Sequence, residues 1–500
     1  MMVTCSMHST GGRGRGKVEE NEIFFPVRLD RNAGRVRIPL TFQGVRRRNM
    51  MDFPALNKVG AMDFLSEYGK MIYNPTGIFY WSGRSKTEAK INATIGTAKG
   101  KKSVLFDGGD DSTATLCIPS ILQYFNDMST EDIFPYAPEA GVPAFREAWE
   151  KWLLHKAGSQ SDRLAKQIML PVVSSGITGG LSLCTRLFVD PGTPIVVPNK
   201  RWENYDNIFD RNVNITVEEF ETFEGQHFNI EGFLQAIKNV WAKQDRAVAL
   251  LNFPNNPTGY CPPKAAAKEL VQAVNDLVST TDKKLVLLFD DAYEGYVYDE
   301  TCENASLFYQ VVPKPNLLPV KLDGISKEML WYGARIGGIT VACPDEWFAQ
   351  AEKADVEKEM ENKFRGVIRN TISNCNRVAQ QAALKALENI DQVMADRKKV
   401  FNELSARYHL LKEKFAALNS DQLFADPFQG GFFCFVNVNP KTGLNAPDIC
   451  DHLLKEYKVG TVPTQSGAIN GIRVAFCSVE KEEIPELANS LQQAVNDLVK

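Results

Sequence analysis

A lysine directly after a strand-end turn is an unusual place for a solvent-seeking side chain. Lys327 closes the run Asp323-Gly324-Ile325-Ser326-Lys327, which follows the apolar segment Leu317–Leu322. Partly desolvated and near cations, its amine would lose proton affinity and could act as a nucleophile. Arg335 follows in Gly333-Ala334-Arg335-Ile336-Gly337-Gly338, where glycines let a bulky anion approach. A second apolar run, Leu285–Phe289, leads into Asp290-Asp291-Ala292-Tyr293. An acid ending a strand can cap a helix, and Asp291 suits that role. Asp290, at the strand tip, can hold a protonated ring nitrogen, and Tyr293 can donate to a phenolate oxygen. Upstream, Ser174-Ser175-Gly176-Ile177-Thr178-Gly179-Gly180-Leu181 reads as a small-residue turn opening a helix. Free backbone N–H groups at such a helix start suit a phosphate.

These pieces call for one ligand with a phosphate, a ring nitrogen that needs a carboxylate, a phenolic oxygen, and an aldehyde that condenses with lysine. Pyridoxal 5′-phosphate has all four. A further polar turn, Asn252-Phe253-Pro254-Asn255-Asn256-Pro257-Thr258-Gly259, follows the apolar run Ala247–Leu251. By itself it reads simply as a turn. Asn74-Pro75-Thr76-Gly77 repeats its four-residue core far upstream, so the short motif is weak alone.

Such groups need strand ends to present them. Ile195–Val197, Ala247–Leu251, Leu285–Phe289 and Leu317–Leu322 are strand candidates. Helices are expected over Ala144–Ala157, Gly232–Lys243, Lys264–Val278 and Glu346–Glu361. Strand–helix alternation at this spacing predicts an α/β fold with a mostly parallel sheet covered by helices. In such sheets ligands gather beyond the carboxyl ends of the strands. Long helices near 377–389, 394–418 and 480–499, around strands near Phe432–Val438 and Ile472–Phe476, predict a smaller α+β domain. The expected organisation is a basic extension at 1–50, an N-terminal segment at 51–125 that joins the small domain, a large domain at 126–375, and a small domain at 376–500.

Composition bounds the rest. The chain has 500 residues, 44% apolar and 24% charged, which is globular rather than disordered. Its net charge of −4 hides an asymmetry: residues 1–50 carry ten Lys and Arg against four acids, leaving −10 for the remainder. That balance argues against a nucleic-acid binder. No apolar run is long enough to span a membrane. The ten cysteines lack a C-x-x-C pair and the five histidines are scattered, so a reducing, cytoplasmic setting is expected and a metal is not. The extension reads as a flexible tail, a targeting segment, or sequence upstream of a start at Met50 or Met51.

In order and spacing these motifs resemble the fold-type-I pyridoxal-phosphate aminotransferases of class I/II, relatives of aspartate and aromatic aminotransferases. The resemblance runs from about Ile91 to the C-terminus. It implies that Lys327 holds the cofactor as a Schiff base and then shuttles the proton between substrate Cα and cofactor C4′. It assigns Asp290 to the pyridine nitrogen, and Tyr293 and Asn256 to the phenolic oxygen. Arg335, Ser326 and the backbone of Gly176, Ile177 and Thr178 would hold the phosphate. Trp202, in Arg201-Trp202-Glu203-Asn204-Tyr205, would stack on the ring, with core packing as its alternative. Arg473 would grip the substrate α-carboxylate, Asn256 and Trp202 would also touch substrate, and Ile95-Gly96 would close over it. Tyr136 would reach the phosphate of a partner subunit, which implies a homodimer with shared sites.

Two positions depart from the family pattern. Gly324 stands where relatives carry a phosphate-binding Ser or Thr, and Asp323 has no assigned role. Arg369 resembles the arginine lent by a partner subunit to a substrate's side-chain carboxylate, yet Cys375-Asn376 replaces the usual Pro-Pro beyond it, and an exposed helix arginine is the alternative. The implied activity is ping-pong transamination between an amino acid of aspartate, glutamate or aromatic type and a 2-oxo acid such as 2-oxoglutarate. A β-decarboxylase or carbon–sulfur lyase on the same fold, and a cofactor-binding regulator, are the competing readings.

Overall fold

The computed structural model describes residues 53–499, apart from 73, 75, 76, 107 and 212–214. The basic extension and part of the upstream Asn-Pro-Thr-Gly repeat lie outside the described residues. Residues 53–71 fall in a unit of their own, with helical turns at Pro54–Lys58, Ala61–Phe64 and Glu67–Met71. Ile72 onward forms the second unit.

The core of that second unit is a seven-stranded sheet. Its spatial order is Val172–Ser174, Gly337–Val341, Leu317–Gly324, Lys284–Asp290, Arg246–Leu251, Ile195–Pro198, Val217–Phe220. All strands run parallel except Gly337–Val341. Helices cover both faces, which is why the central strands read as unbroken apolar runs. Ala247, Ala249, Leu285, Leu287 and Phe289 pack with the apolar sides of Ile230–Trp241 and Lys264–Ser279. Val248, Leu250, Val286, Leu288 and Leu322 pack on the other face with Gly176–Phe188.

A second, antiparallel sheet has the order Leu423–Ala425, Cys434–Val438, Ile469–Val474, Val462–Ser466. The helices Ile390–Phe415, Ala446–Tyr457 and Ile484–Leu498 pack in the same core cluster. Upstream chain joins this region. Ile91–Asn92 pairs in parallel with Val459–Gly460, and Arg84 of the helix Gly77–Glu88 is 2.7 Å from Asp451.

Two local expectations are corrected. The helix expected over Glu346–Glu361 is two helices, Asp345–Phe348 and Lys353–Arg369. Trp347 and Phe348 anchor the first against the sheet core and Phe364 and Ile368 anchor the second, so the chain is re-aimed between them, and Glu352 is extended (φ −58°, ψ 132°). Asp291 caps no helix. Residues 292–295 form a turn, and the Asp291 carboxylate instead accepts from the Ser306 hydroxyl at 2.6 Å and from Lys321.

Leu287 is fully buried at the centre of the large sheet. Leu287→Ala should cost about 2–5 kcal/mol, seen as a lower denaturant midpoint. Exposed Lys441→Ala should stay within about 0.5 kcal/mol of wild type.

Candidate active site

The carboxyl ends of the parallel strands collect most of the residues singled out in the sequence. Asp290 ends its strand, 3% exposed. Its Oδ2 accepts from the Tyr205 hydroxyl at 2.5 Å and its Oδ1 from the Ala292 N–H at 3.2 Å. Burial pushes the Asp290 carboxyl up to about 6, against the pull of those two hydrogen bonds. Asn252 joins the neighbouring strand end to this one: its Nδ2 donates to the Asp290 carbonyl at 2.8 Å, and its Oδ1 accepts from the Asn256 N–H at 2.9 Å.

Lys327 lies in the helical turn Ile325–Glu328, directly after the next strand. Its Nζ is 5.9 Å from the centre of the Tyr293 ring and 5.1 Å from that of Tyr332. Burial brings the amine down to about 8. The Asp290 carboxylate opposes that shift, and the Arg335 charge adds to it. The Lys327 carbonyl accepts from the Tyr296 hydroxyl at 3.1 Å, which holds the turn.

Arg335 meets the start of the helix Gly176–Phe188. Gly176 has φ +67°, and a Cβ there would fall 2.7 Å from the Arg335 Nη2, so glycine is required on both counts. Arg335 is itself in the left-handed region (φ 55°), a strained state of the kind that clusters at functional sites. Gly324 also has a steric reason. A Cβ there would lie 2.8 Å from the Ile336 carbonyl oxygen, so the Ser or Thr that the family pattern leads one to expect has no room. Ser326 is half-buried in the turn beside Lys327.

Arg473 comes from the second sheet, 5% exposed. Its Nη1 donates to Asn256 Oδ1 at 3.3 Å and its Nη2 to the Thr94 carbonyl at 2.8 Å, while Nε has no partner among the described residues. Phe433 lies beneath the guanidinium at 4.5 Å, and a Cβ on Gly96 would come within 2.5 Å of the same ring. Tyr293 packs edge-on to Phe433, and its hydroxyl is pushed up by burial, with Arg473 opposing. Trp202 is half-buried against the core and packs edge-on to Tyr205, 5.5 Å between ring centres.

Two of the predicted residues stand outside this cluster. Tyr136 is 88% exposed, with its carbonyl accepting from Arg377. Arg369 is exposed at the end of its helix and donates to the Ser373 hydroxyl. Asp323 faces the side of the sheet opposite Leu322, where its Oδ1 accepts from Trp149 Nε1 at 3.0 Å. It therefore supplies no group to the pocket.

Sequence reasoning missed four neighbours. Tyr205 sits three residues after Trp202, a helical turn away, and that spacing could have flagged it. Phe433 and Tyr332 carried no signal beyond being aromatic. Cys477 is buried within electrostatic reach of Lys327 and Arg473, and burial pushes its thiol up to about 12, so it is a neutral wall and not a nucleophile.

Pyridoxal phosphate fits these donors. The helix start at Gly176 and the Arg335 guanidinium form an anion cradle, and among the described residues Arg335 donates only to the Tyr332 carbonyl, at 3.4 Å. Asp290 offers a buried carboxylate, Lys327 an amine with lowered proton affinity, and Arg473 an unpartnered buried N–H. Because folding lowers the Lys327 pKa, its neutral, nucleophilic form dominates above about pH 8 rather than above the usual lysine range. The rate at which apoprotein takes up pyridoxal phosphate should rise with pH, reach half its maximum near pH 8 and then level off, as followed by absorbance. A rate still climbing tenfold per unit at pH 9 would contradict the lowered value.

Known proteins resemble this chain over most of its length. The family profile described as aminotransferase class I and II matches residues 106–491. The chain is 22% identical to an aspartate aminotransferase of Pyrococcus horikoshii, over 72% of this chain and 83% of that protein. It is 26% identical to an aspartate/prephenate aminotransferase of Thermus thermophilus, over 69% of this chain and 80% of that one. Among solved structures, an aminotransferase from Anaerococcus prevotii superposes with a TM-score of 0.72 at 23% identity, covering 86% of this chain and 99% of its own. The matched residues span both sheets. The chain belongs to the aminotransferase class I and II family and is a pyridoxal-phosphate-dependent aminotransferase.

Proposed function

We propose that this enzyme moves an amino group between an amino acid of aspartate, glutamate or aromatic type and a 2-oxo acid such as 2-oxoglutarate, in two half-reactions of a ping-pong cycle. The observation that carries the reading is the convergence of three buried groups from distant parts of the chain: the Lys327 amine, the Asp290 carboxylate and the Arg473 guanidinium.

The cofactor supplies an aldehyde that condenses with amines and a ring that accepts the electron pair left at the donor Cα. The protein does the rest. Arg473 binds the donor α-carboxylate through its fork of N–H groups, held in aim by Asn256, the Thr94 carbonyl and the Phe433 ring. Lys327 would hold the cofactor's aldehyde, and its free Nζ would take the donor Cα proton and give it up again. An amine with its pKa near 8 suits both halves of that transfer. Asp290, oriented by the Tyr205 hydroxyl, keeps a proton on the ring nitrogen. Tyr293 and Asn256 serve the phenolic oxygen. Arg335, Ser326 and the N–H groups of Gly176, Ile177 and Thr178 hold the phosphate. Trp202 would cover the ring, and the Gly96 segment, close against Phe433, would exclude water.

Tyr136 and Arg369 act across a homodimer, each in the partner's site; their exposure supports this. The cysteines among the described residues are unpaired, in keeping with a cytoplasmic, reducing setting. No helix among the described residues is long and apolar enough to cross a membrane.

Lys327→Ala should lower amino transfer at least about 100-fold, the scale of a lost general acid–base group, in a donor panel against 2-oxoglutarate. Turnover that survives this change removes the mechanism. In the same panel Arg369→Ala should cost dicarboxylic donors about tenfold or more in kcat/KM, the worth of a charged hydrogen bond, and leave aromatic donors unaffected. Equal activity with all donors would strip Arg369 of the side-chain role.

A further inference from the structure

Beneath the pocket, on the opposite side of the sheet, lies a buried ionic layer that the reading above does not use. Lys321 is 0% exposed, and its Nζ bonds Asp291 Oδ2 and lies 2.9 Å from Glu294 Oε2. Lys156, from the helix Pro143–Ala157, places its Nζ 2.9 Å from both Glu294 Oε2 and Glu328 Oε1. Asp323 Oδ2 is 3.9 Å from each lysine and has no hydrogen-bond partner among the described residues. Trp152 Nε1 donates to Glu328 Oε1 at 2.5 Å. Arg397 closes the cluster, donating to the Glu294 carbonyl at 2.9 Å and lying 4.6 Å from the centre of the Tyr296 ring.

Three of these acids follow directly on residues of the pocket. Asp291 follows Asp290, Glu294 follows Tyr293, and Glu328 follows Lys327. Each neighbouring pair divides between the two sides, one member in the pocket and one in the ionic layer. Glu294 is the shared node, because both lysines bond it. The strand end that carries Asp290 and Tyr293 is thus joined to the turn that carries Lys327 by charged bonds through Lys156.

Stability is a poor reason for such a layer. Each buried ion carries a desolvation cost of several kcal/mol, and packed apolar residues often do as well or better. Fixing geometry is a better reason, since a misplacement of about 1 Å at a reacting centre can cost about 100-fold in rate. We propose that Lys156 is a positioning residue for amino transfer: by bonding Glu294 and Glu328 together it fixes Lys327 relative to Asp290 and Tyr293. The inference rests on the transaminase reading above.

The test uses holoenzyme carrying Lys156→Met. The expected result is a kcat lowered about 10- to 100-fold with KM for the donor within about twofold, and recovery of most of the loss in Lys156→Arg, which can bridge the same two carboxylates. Hydrogen exchange on the apoprotein should show residues 291–296 and 325–330 losing protection together while the central strands keep theirs. Glu328 left without its lysine can prevent folding, so Lys156→Met with Glu328→Gln is made as well. It removes one charge of each sign, keeps an acceptor for Trp152, and should fold with kcat still low. A folded Met variant with kcat within twofold of wild type overturns the proposal. So does a loss confined to KM or to cofactor content, or a failure of both variants to fold, which marks the layer as structural only. Wild-type enzyme in the same assay separates the two claims. No amino transfer by wild type removes the functional reading, and the joint exchange signature then decides the positioning. Wild-type turnover with an unaffected Lys156→Met removes the positioning alone.

Discussion

Side chains alternate across a strand with a period of two, and the site depends on that alternation at the ends of two neighbouring strands. In Lys284–Asp290 it sends Val286, Leu288 and Asp290 to one face and Leu285, Leu287 and Phe289 to the other. In Leu317–Gly324 it separates Leu322 from Lys321 and Asp323. A slip of one residue in the first strand would put Asp291 in the pocket and bury Asp290 among the lysines, and a slip in the second would turn Lys321 and Asp323 to the pocket face. The register Asp290↔Leu322 prevents this, and it is set by apolar side chains packed on both faces of the sheet.

Charges brought so deep must be answered, and the fold answers them differently on the two faces. On the pocket side the answers are incomplete. Among the described residues Asp290 has a phenol and an N–H but no cation in contact, the Arg473 Nε has no partner, and Arg335 meets only a carbonyl. Those unmet capacities are what a charged cofactor and a carboxylate substrate would satisfy. On the far side lysine ammoniums and carboxylates meet at hydrogen-bond distance, and Lys321 is held well above the ordinary lysine range by Asp291 and Glu294 despite its burial. The first arrangement can bind, and the second can only hold shape.

The reacting groups were legible in the sequence because the strand ends that carry them are marked locally. Lys327, Asp290 and Gly176 each stand within a few residues of the end of an apolar run, where the chain turns, and that pattern is visible within ten residues. Gly324 shows the limit of such reading. Its departure from the family looks like a lost hydrogen bond until the Ile336 carbonyl is seen 2.8 Å from where a Cβ would stand. Likewise Glu346–Glu361 has helical periodicity throughout, and only the separate anchoring of Trp347 and Phe364 in the core shows where it breaks.

The sequence by itself determined which chemical groups are present, their order along the chain and the alternating α/β pattern that brings them to one edge of a sheet, since strand period and turn chemistry are local properties. The tertiary structure alone decided what each group faces. Tyr205 on Asp290, Phe433 under Arg473, Cys477 beside Lys327 and Lys156 between Glu294 and Glu328 join positions tens to hundreds of residues apart. No periodicity links such pairs, because they meet only after the sheet, its covering helices and the second sheet have packed. Asp323 is the sharpest case. In the sequence it stands four residues before the reactive lysine and looks like part of the site; strand alternation turns it to the other face, against Trp149.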